Sequence, residues 1–130
     1  MFVSVEWCKE TITRQIPEDP EQYITVRRLN GRERRRRQSL GGKFIIGDGE
    51  AVSMELAIDA IKDFEYETCI TDFRLKDENN KLLVFGNREY NKNIYDNMSD
   101  ELCRFVDDLI AEVNKENAAG KEEMKEVEGN

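Results

Sequence analysis

The chain has 130 residues, of which 38% are hydrophobic and 37% charged, and it contains no histidine. This length and composition allow one modest globular domain and differ from those of a disordered chain. The lack of histidine excludes Ser-His and Cys-His catalytic dyads, and no apolar run approaches the roughly 18–20 residues of a membrane span.

Charge is distributed unevenly along the chain. Residues 27–43 carry eight basic residues and one acid, a net charge of +7, which leaves −15 on the remainder of a chain whose total is −8. The chain is therefore acidic with one basic segment, residues 27–43, which we call the basic collar. Such a charge distribution affects association with partners rather than the fold.

Cysteine usage and the N-terminus bear on the compartment. Cys8, Cys69 and Cys103 are widely spaced and form no CxxC pair, so we expect reduced, buried thiols, no disulfide framework, no metal site and no cofactor. Residues 1–7 lack the basic and apolar regions of a signal peptide. The sequence therefore predicts a protein that stays in the cytoplasm.

The first third of the chain predicts extended segments and then a helix. Residues 2–7 are typical of a short strand or an extended arm. Residues 16–20 are typical of a turn or loop because they contain Pro17 and Pro20, and residues 22–29 are typical of a half-exposed strand or an extended segment. Asn30 and Glu33 form the pattern of a capping box. The helix that they begin carries the arginine run and is expected to end at Gly41-Gly42.

The middle of the chain is less regular. Residues 43–50 are expected to form a short strand or a tight loop, and residues 53–66 a helix with a core-facing stripe that includes Met54, Ala57, Ile58 and Ile61. Residues 69–75 and 81–85 are apolar and extended in character, on either side of a polar turn. They predict a hairpin or a loop packed on the helices.

The clearest element comes last. Ser99 is a good N-cap, and apolar residues then recur with helical spacing up to Val113. This pattern predicts a helix over residues 99–113, which we expect to form the core face to face with the helix at 53–66. Residues 117–130 are mostly charged and small, so we expect a disordered tail.

These elements together predict an α+β fold that is mainly helical. We expect a single domain over residues 1–116, in which an extended N-terminal segment or short hairpin packs on two to four helices, followed by a charged tail over residues 117–130.

The arginine run holds the candidate binding residues, which are Arg28, Arg32, Arg34, Arg35, Arg36 and Arg37. Arginine clusters bind phosphates, but they also form solvated helix faces or dock on acidic proteins. On a helix only Arg32, Arg35 and Arg36 share a face, no aromatic residue interleaves the run, and the remainder of the chain is acidic. These features favour a protein partner over nucleic acid.

The order of segments resembles that of the tail assembly chaperones of long-tailed phages. The resemblance begins with residues 16–33, in which Tyr23 to Leu29 lead into the helix start at Asn30 and Glu33, and continues through the helix at 53–66, Ile70 to Phe73, the polar turn at 77–82 and the helix at 99–113. Asn80 stands where the family usually has a turn glycine, and the arginine run is unusually basic for it. The resemblance implies a non-enzymatic binding protein in the cytoplasm of the host cell, which binds the tape-measure protein and recruits tail-tube subunits.

Two other functions remain open on the sequence. One is an acidic, phage-encoded inhibitor or nucleic-acid mimic that acts on a host defence protein, which the −15 outside the collar favours. The other is a small nucleic-acid-binding regulator that uses the arginine helix. An enzyme ranks last, because no acids form a recognisable catalytic pair.

Overall fold

The computed structural model describes residues 10–45 and 50–116, with side chains described for 10–41 and 54–116. These residues form a small α+β domain with four helices and a four-stranded antiparallel sheet. In chain order the elements are β1 (Thr11–Ile16), β2 (Asp19–Arg27), α1 (Gly31–Ile45), α2 (Glu50–Cys69), β3 (Ile70–Lys76), β4 (Leu82–Val84), α3 (Arg88–Asp96) and α4 (Asp100–Val113).

The sheet is a meander in which every strand pairs antiparallel with the next one along the chain. β1 and β2 form a hairpin around Pro17 and Glu18, where the prolines predict a turn. β3 and β4 form a second hairpin, which confirms one of the two structures expected for residues 69–85. The helices α1 and α2 connect the two central strands.

One face of the sheet is apolar and builds the core. Ile24 and Val26 of β2 and Phe73 and Leu75 of β3 are buried, because alternate residues of a strand point to the same face. The opposite face is polar, with a hydrogen bond of 2.7 Å between the hydroxyls of Thr13 and Thr25. The sheet therefore has one packed face and one face toward solvent.

Helix α4 packs on the apolar face beside β1 and β2. Ser99 caps it by accepting a hydrogen bond from the Leu102 amide, as predicted. The buried residues of its apolar stripe are Val106, Leu109, Ile110 and Val113. The predicted helix over residues 99–113 is thus confirmed, but it packs on the sheet rather than face to face with the preceding long helix.

The end of α2 and the short helix α3 cover the rest of the core. Tyr66 and Tyr95 are buried and meet edge to face, with ring centroids 5.9 Å apart. The Tyr66 hydroxyl donates to Asp107 Oδ1 at 2.8 Å, and Asp107 also pairs with Lys62. This network joins α2 to α4.

The α+β class is confirmed, but the fold is mixed rather than clearly mainly helical, because the described residues form a four-stranded sheet as well as four helices. Among the described residues, the sequence did not predict two elements, β1 and α3. The sequence of α3 is polar on average and has few apolar residues, although these lie on one face, and its start is marked by the cap in which Asn87 accepts from the Tyr90 amide.

The predicted end of α1 at Gly41-Gly42 is wrong, because the helix continues to Ile45. Gly41 is buried against α2, and a Cβ added there would lie 3.2 Å from Ile61 Cδ1. The glycine therefore lies at a close approach of two helices rather than at a helix stop. Residues 43–45 are helical instead of forming a strand or loop, and residues 46–49 lie outside the described residues.

Helix α2 is longer than predicted at both ends. Within the predicted stripe Ala57 is buried and Ile61 is half-buried, but Met54 and Ile58 are 56% and 51% exposed. The stripe is correct only toward the C-terminal half of the helix. The extended segment predicted at residues 2–7 and the tail predicted at 117–130 lie outside the described residues.

Candidate functional site

The start of α1 is fixed by the capping box that the sequence predicts. The Glu33 amide donates to Asn30 Oδ1 at 2.8 Å, and the Asn30 amide donates to Glu33 Oε1 at 2.9 Å. Arg27, at the end of β2, donates to both oxygens of Glu33 at 2.9 and 2.6 Å and thereby lowers the pKa of that carboxyl group. These bonds set the direction in which the arginine helix leaves the sheet.

Arg37 is a structural residue. Its guanidinium donates to Glu65 Oε2 at 2.9 Å and to Glu116 Oε1 at 2.6 Å, and its side chain is only 18% exposed. Burial raises the pKa of Glu65 although Arg37 acts in the opposite direction. Arg37 thus joins α1 to α2 and to the chain beyond α4, and both sides of its guanidinium are already occupied.

Arg28 and Arg34 are also directed toward the protein. Arg34 donates to the carbonyl oxygen of Leu29 at 2.8 Å, across the first turn of the helix. Arg28 Nη1 lies 3.8 Å from Glu10 Oε1, and its Nε is buried without a hydrogen-bond partner. Of the six predicted arginines, three are therefore engaged within the domain.

The remaining three predicted arginines form a separate surface. Arg32, Arg35 and Arg36 are exposed and lie on one side of α1 because residues three and four apart share a helix face. None of them makes an ion pair with a carboxylate among the side chains of residues 10–41 and 54–116. We call these three side chains the arginine face.

A cleft lies beside the arginine face, between α1 and α2. Its volume is about 750 Å³. Arg34 and Arg35 line it on the α1 side, while Ile61 and Glu65 of α2 and Glu116 close it elsewhere. The residues that complete the lining are Gly31, Arg37, Gln38 and Gly41. A side chain that enters it would meet an apolar floor between basic and acidic walls.

The arginine face occupies the end of a helix where positive charge is unfavourable. The N-terminus of a helix carries a partial positive charge from its unpaired amides, and acidic rather than basic residues are stabilising there. Glu33 is the one acid in the first turn of α1, and Arg27 binds it. The resulting positive potential favours an anionic group on the outside of α1.

The structure contains a second cleft that the sequence did not indicate. It has a volume of about 430 Å³, between the end of α2 and the segment that leads from β4 into α3. Phe85 and Tyr95 form its apolar part, and Arg88 and Glu67, which pair at 3.1 Å, form its rim. Five of the seven lining residues lie between Phe85 and Tyr95, but Glu67 and Thr68 come from α2, so no local pattern could reveal the complete cleft.

The cysteines of the described part show no sign of a reactive centre. Cys69 is buried in the core, and burial raises the pKa of its thiol to about 12, so it remains protonated near neutral pH. Cys103 is free and half-buried. Across the described residues, no three metal-ligating side chains come together, and none of the helices has the length and apolar character to cross a bilayer.

No protein-family model, curated protein or solved structure matches this chain.

Proposed function

We propose that this protein is a non-enzymatic binding protein whose arginine face docks on an acidic surface of a protein partner. The observation that carries the proposal is the division of the arginine run. Three of the predicted arginines are engaged within the domain, whereas those of the arginine face are exposed together, with no carboxylate partner in the described part of the chain.

A protein partner fits this surface better than nucleic acid does. The arginine face extends over little more than one turn of helix, whereas nucleic-acid affinity arises from many phosphate contacts. Glu65 and Glu116 line the adjacent cleft, and the whole chain carries a net charge of −8. A long polyanion would be repelled beyond the patch, but a short acidic segment can form bidentate arginine–carboxylate pairs without meeting those acids.

Within this class we propose a phage tail assembly chaperone. The support is the resemblance in segment order over residues 16–116, from the extended stretch before Asn30 to the helix at 99–113. In this role the protein binds the tape-measure protein in the host cytoplasm and recruits tail-tube subunits to it. It needs no cofactor, and no residue acts as a catalyst.

The test compares two triple variants with the same change in net charge. In the first, all three residues of the arginine face are changed to Ser. The control changes three exposed basic residues elsewhere, Arg74, Lys81 and Lys92, to Ser. Binding to an acidic tape-measure fragment, measured by calorimetry, should weaken about tenfold or more in the first variant and little in the control, because only the first removes contact charges.

Two outcomes would contradict the proposal. Equal affinity of both variants and the unchanged protein would show that the partner binds elsewhere. Tight binding of random duplex DNA at physiological salt, lost in the first variant alone, would favour the nucleic-acid regulator. Thermal melts of both variants establish that folding is intact, which we expect because none of the six residues is buried.

A further inference from the structure

The outermost strand β4 presents backbone groups with a defined pattern. The Asp77 amide donates to Lys81 O at 3.0 Å, the Phe85 amide donates to Phe73 O at 3.3 Å, and Leu83 lies opposite Leu75. Residues 81, 83 and 85 thus belong to the hydrogen-bonded pairs of this antiparallel ladder, which alternate with non-hydrogen-bonded ones. The N–H and C=O groups of Leu82 and Val84 must therefore point away from β3.

This free edge is also apolar. In the described part of the chain no strand lies on the outer side of β4. Leu82 and Val84 are 43% and 49% exposed, and Phe85, which follows them, is 39% exposed. Natural edge strands are protected by very short length, a charged residue, a proline or a bulge, and of these devices β4 has only its short length. The segment 82–84 contains no charge and no proline, and its register with β3 has no shift.

We propose that β4 is a self-association site, where two copies of this chain pair antiparallel across a two-fold axis that passes beside Leu83. In this register Leu82 lies opposite Val84 of the second copy, and Val84 lies opposite Leu82. Because the backbone groups of both residues point outward, each opposing pair forms two hydrogen bonds. The two sheets then join into one continuous sheet of eight strands.

The side chains of this edge suit self-pairing. Leu82 and Val84 stand on the same face of the sheet, so two-fold pairing brings four apolar side chains together on the joined surface. Such cross-strand apolar pairs stabilise antiparallel sheets. A two-fold contact also requires the same patch on both copies, and here a single three-residue strand supplies all of it.

Charge near the edge does not oppose the contact, although the chain as a whole is acidic. The exposed cations next to β4 are Arg74 and Lys81, and the acids of the adjoining turn are Asp77 and Glu78. The local charges balance. Since each copy contributes only three residues of strand, the dimer is weak and its population depends on protein concentration.

Sedimentation velocity of the full chain over a concentration series tests the proposal. The unchanged protein should shift from monomer to dimer below about 1 mM. Val84→Pro removes the outward-pointing N–H of residue 84, which makes no hydrogen bond to β3. It should therefore raise the dissociation constant of the dimer about tenfold or more. Val84→Lys, a charge on the edge, should do the same. Gln15→Lys, at an exposed position of the opposite edge strand β1, should leave it unchanged.

A cross-link tests the register independently. Leu83→Cys places a thiol beside the two-fold axis, opposite its own counterpart, in a non-hydrogen-bonded pair whose Cα atoms are about 4.5 Å apart. Mild oxidation should yield a covalent dimer that reductant reverses. Gln15→Cys and the unchanged protein, which retains its own cysteines, are the controls and should yield none.

The proposal is overturned if the unchanged protein stays monomeric up to about 1 mM. It is also overturned if a dimer forms that both Val84 variants retain, since the contact would then lie elsewhere. Cross-linking that is equal in Leu83→Cys and Gln15→Cys would likewise reject the register. A monomer that binds an unrelated extended peptide at β4 would identify the edge as a site for a foreign strand.

Discussion

Leu109 and Asp108 are neighbours in the chain with opposite roles in the fold. Leu109 is 4% exposed and belongs to the core between α4 and the sheet, whereas Asp108 is exposed. The adjacent Asp107 differs from both, because its carboxylate joins Lys62 and Tyr66 of α2. Three successive residues of one helix thus serve the core, the solvent and a polar contact between elements.

Truncation of Leu109 should be strongly destabilising. Leu109→Ala leaves a cavity in a closely packed region and should lower the free energy of unfolding by about 2–5 kcal/mol. Asp108→Ala is the matched control and should cost less than about 0.5 kcal/mol. Chemical denaturation of both variants measures the difference. Equal, mild effects would mean that α4 does not anchor the core.

Asn114 shows how a single polar residue positions the arginine helix. Its buried side chain accepts from the Leu29 amide and donates to the Ile110 carbonyl, with both distances 2.8 Å. Leu29 immediately precedes the cap of α1, so the end of α4 holds the segment from which the arginine helix starts. A buried polar side chain with both hydrogen bonds made is stabilising.

Among the elements, the ones with a local signal were predictable. The cap and stripe of α4 and the capping box of α1 can be read from residues a few positions apart, and both are confirmed. The sequence also predicts that Arg32, Arg35 and Arg36 share one helix face, and all three are exposed in the structure.

The rest depends on contacts between distant residues. In the sequence alone, Gly41 is typical of the end of a helix. Only its position against Ile61 shows that it lies where two helices approach closely. The engagement of Arg37 depends on Glu65 and Glu116, 28 and 79 residues away. β1 has only Ile12 and Ile16 directed toward the core, so its alternation is too weak to identify without its partner strand.

The junction between β2 and α1 should make stability depend on acidic pH. The pKa of Glu33 is lowered in the folded state, mainly by its hydrogen bond from Arg27. Its contribution is therefore present above the usual carboxyl pKa near 4.5 and is lost as the pH falls through the lowered value. Glu33→Gln retains a side chain that can complete the capping box but removes the charge.

We expect Glu33→Gln to be less stable than the unchanged protein at pH 7 by up to about 1 kcal/mol, the range for a partly exposed ion pair. The difference should shrink as the pH falls through the lowered pKa of the Glu33 carboxyl group, because the carboxyl group of the folded protein is then also protonated. Thermal melts over a pH series measure it, with Glu78→Gln, at an exposed turn position, as the control. A difference that persists unchanged in acid would assign the effect to capping geometry rather than to charge.

On the scale of the whole molecule, folding pairs part of the basic collar with carboxylates, two of which, Glu65 and Glu116, lie far along the chain. Arg27 and Arg28 bind Glu33 and Glu10, and Arg37 binds Glu65 and Glu116. Three of the eight basic residues of the collar are thus paired with carboxylates within the domain. The exposed arginines of the collar that have no carboxylate partner in the described part form the arginine face, where a partner can reach them.

The same pairing predicts where the chain can be shortened. Truncation after Glu116 retains the bond to Arg37 and should change the melting temperature by no more than about two degrees, because residues 117–130 lack apolar periodicity. Truncation after Asn114 also removes Lys115 and Glu116. It deletes the ion pair between Arg37 and Glu116 and the backbone hydrogen bonds that residues 115 and 116 donate to α4, and it should lower the melting temperature by about 3–6 degrees.

Differential scanning calorimetry of the two truncated proteins separates these effects, since they differ by only two residues. Arg37→Lys in the full chain is a useful comparison, because a lysine cannot bridge two carboxylates with the geometry of a guanidinium. It should reproduce part of the loss seen after Asn114. A large drop after Glu116 would contradict the prediction and would mean that the tail docks on the domain through Met124 and Val127, its isolated apolar residues.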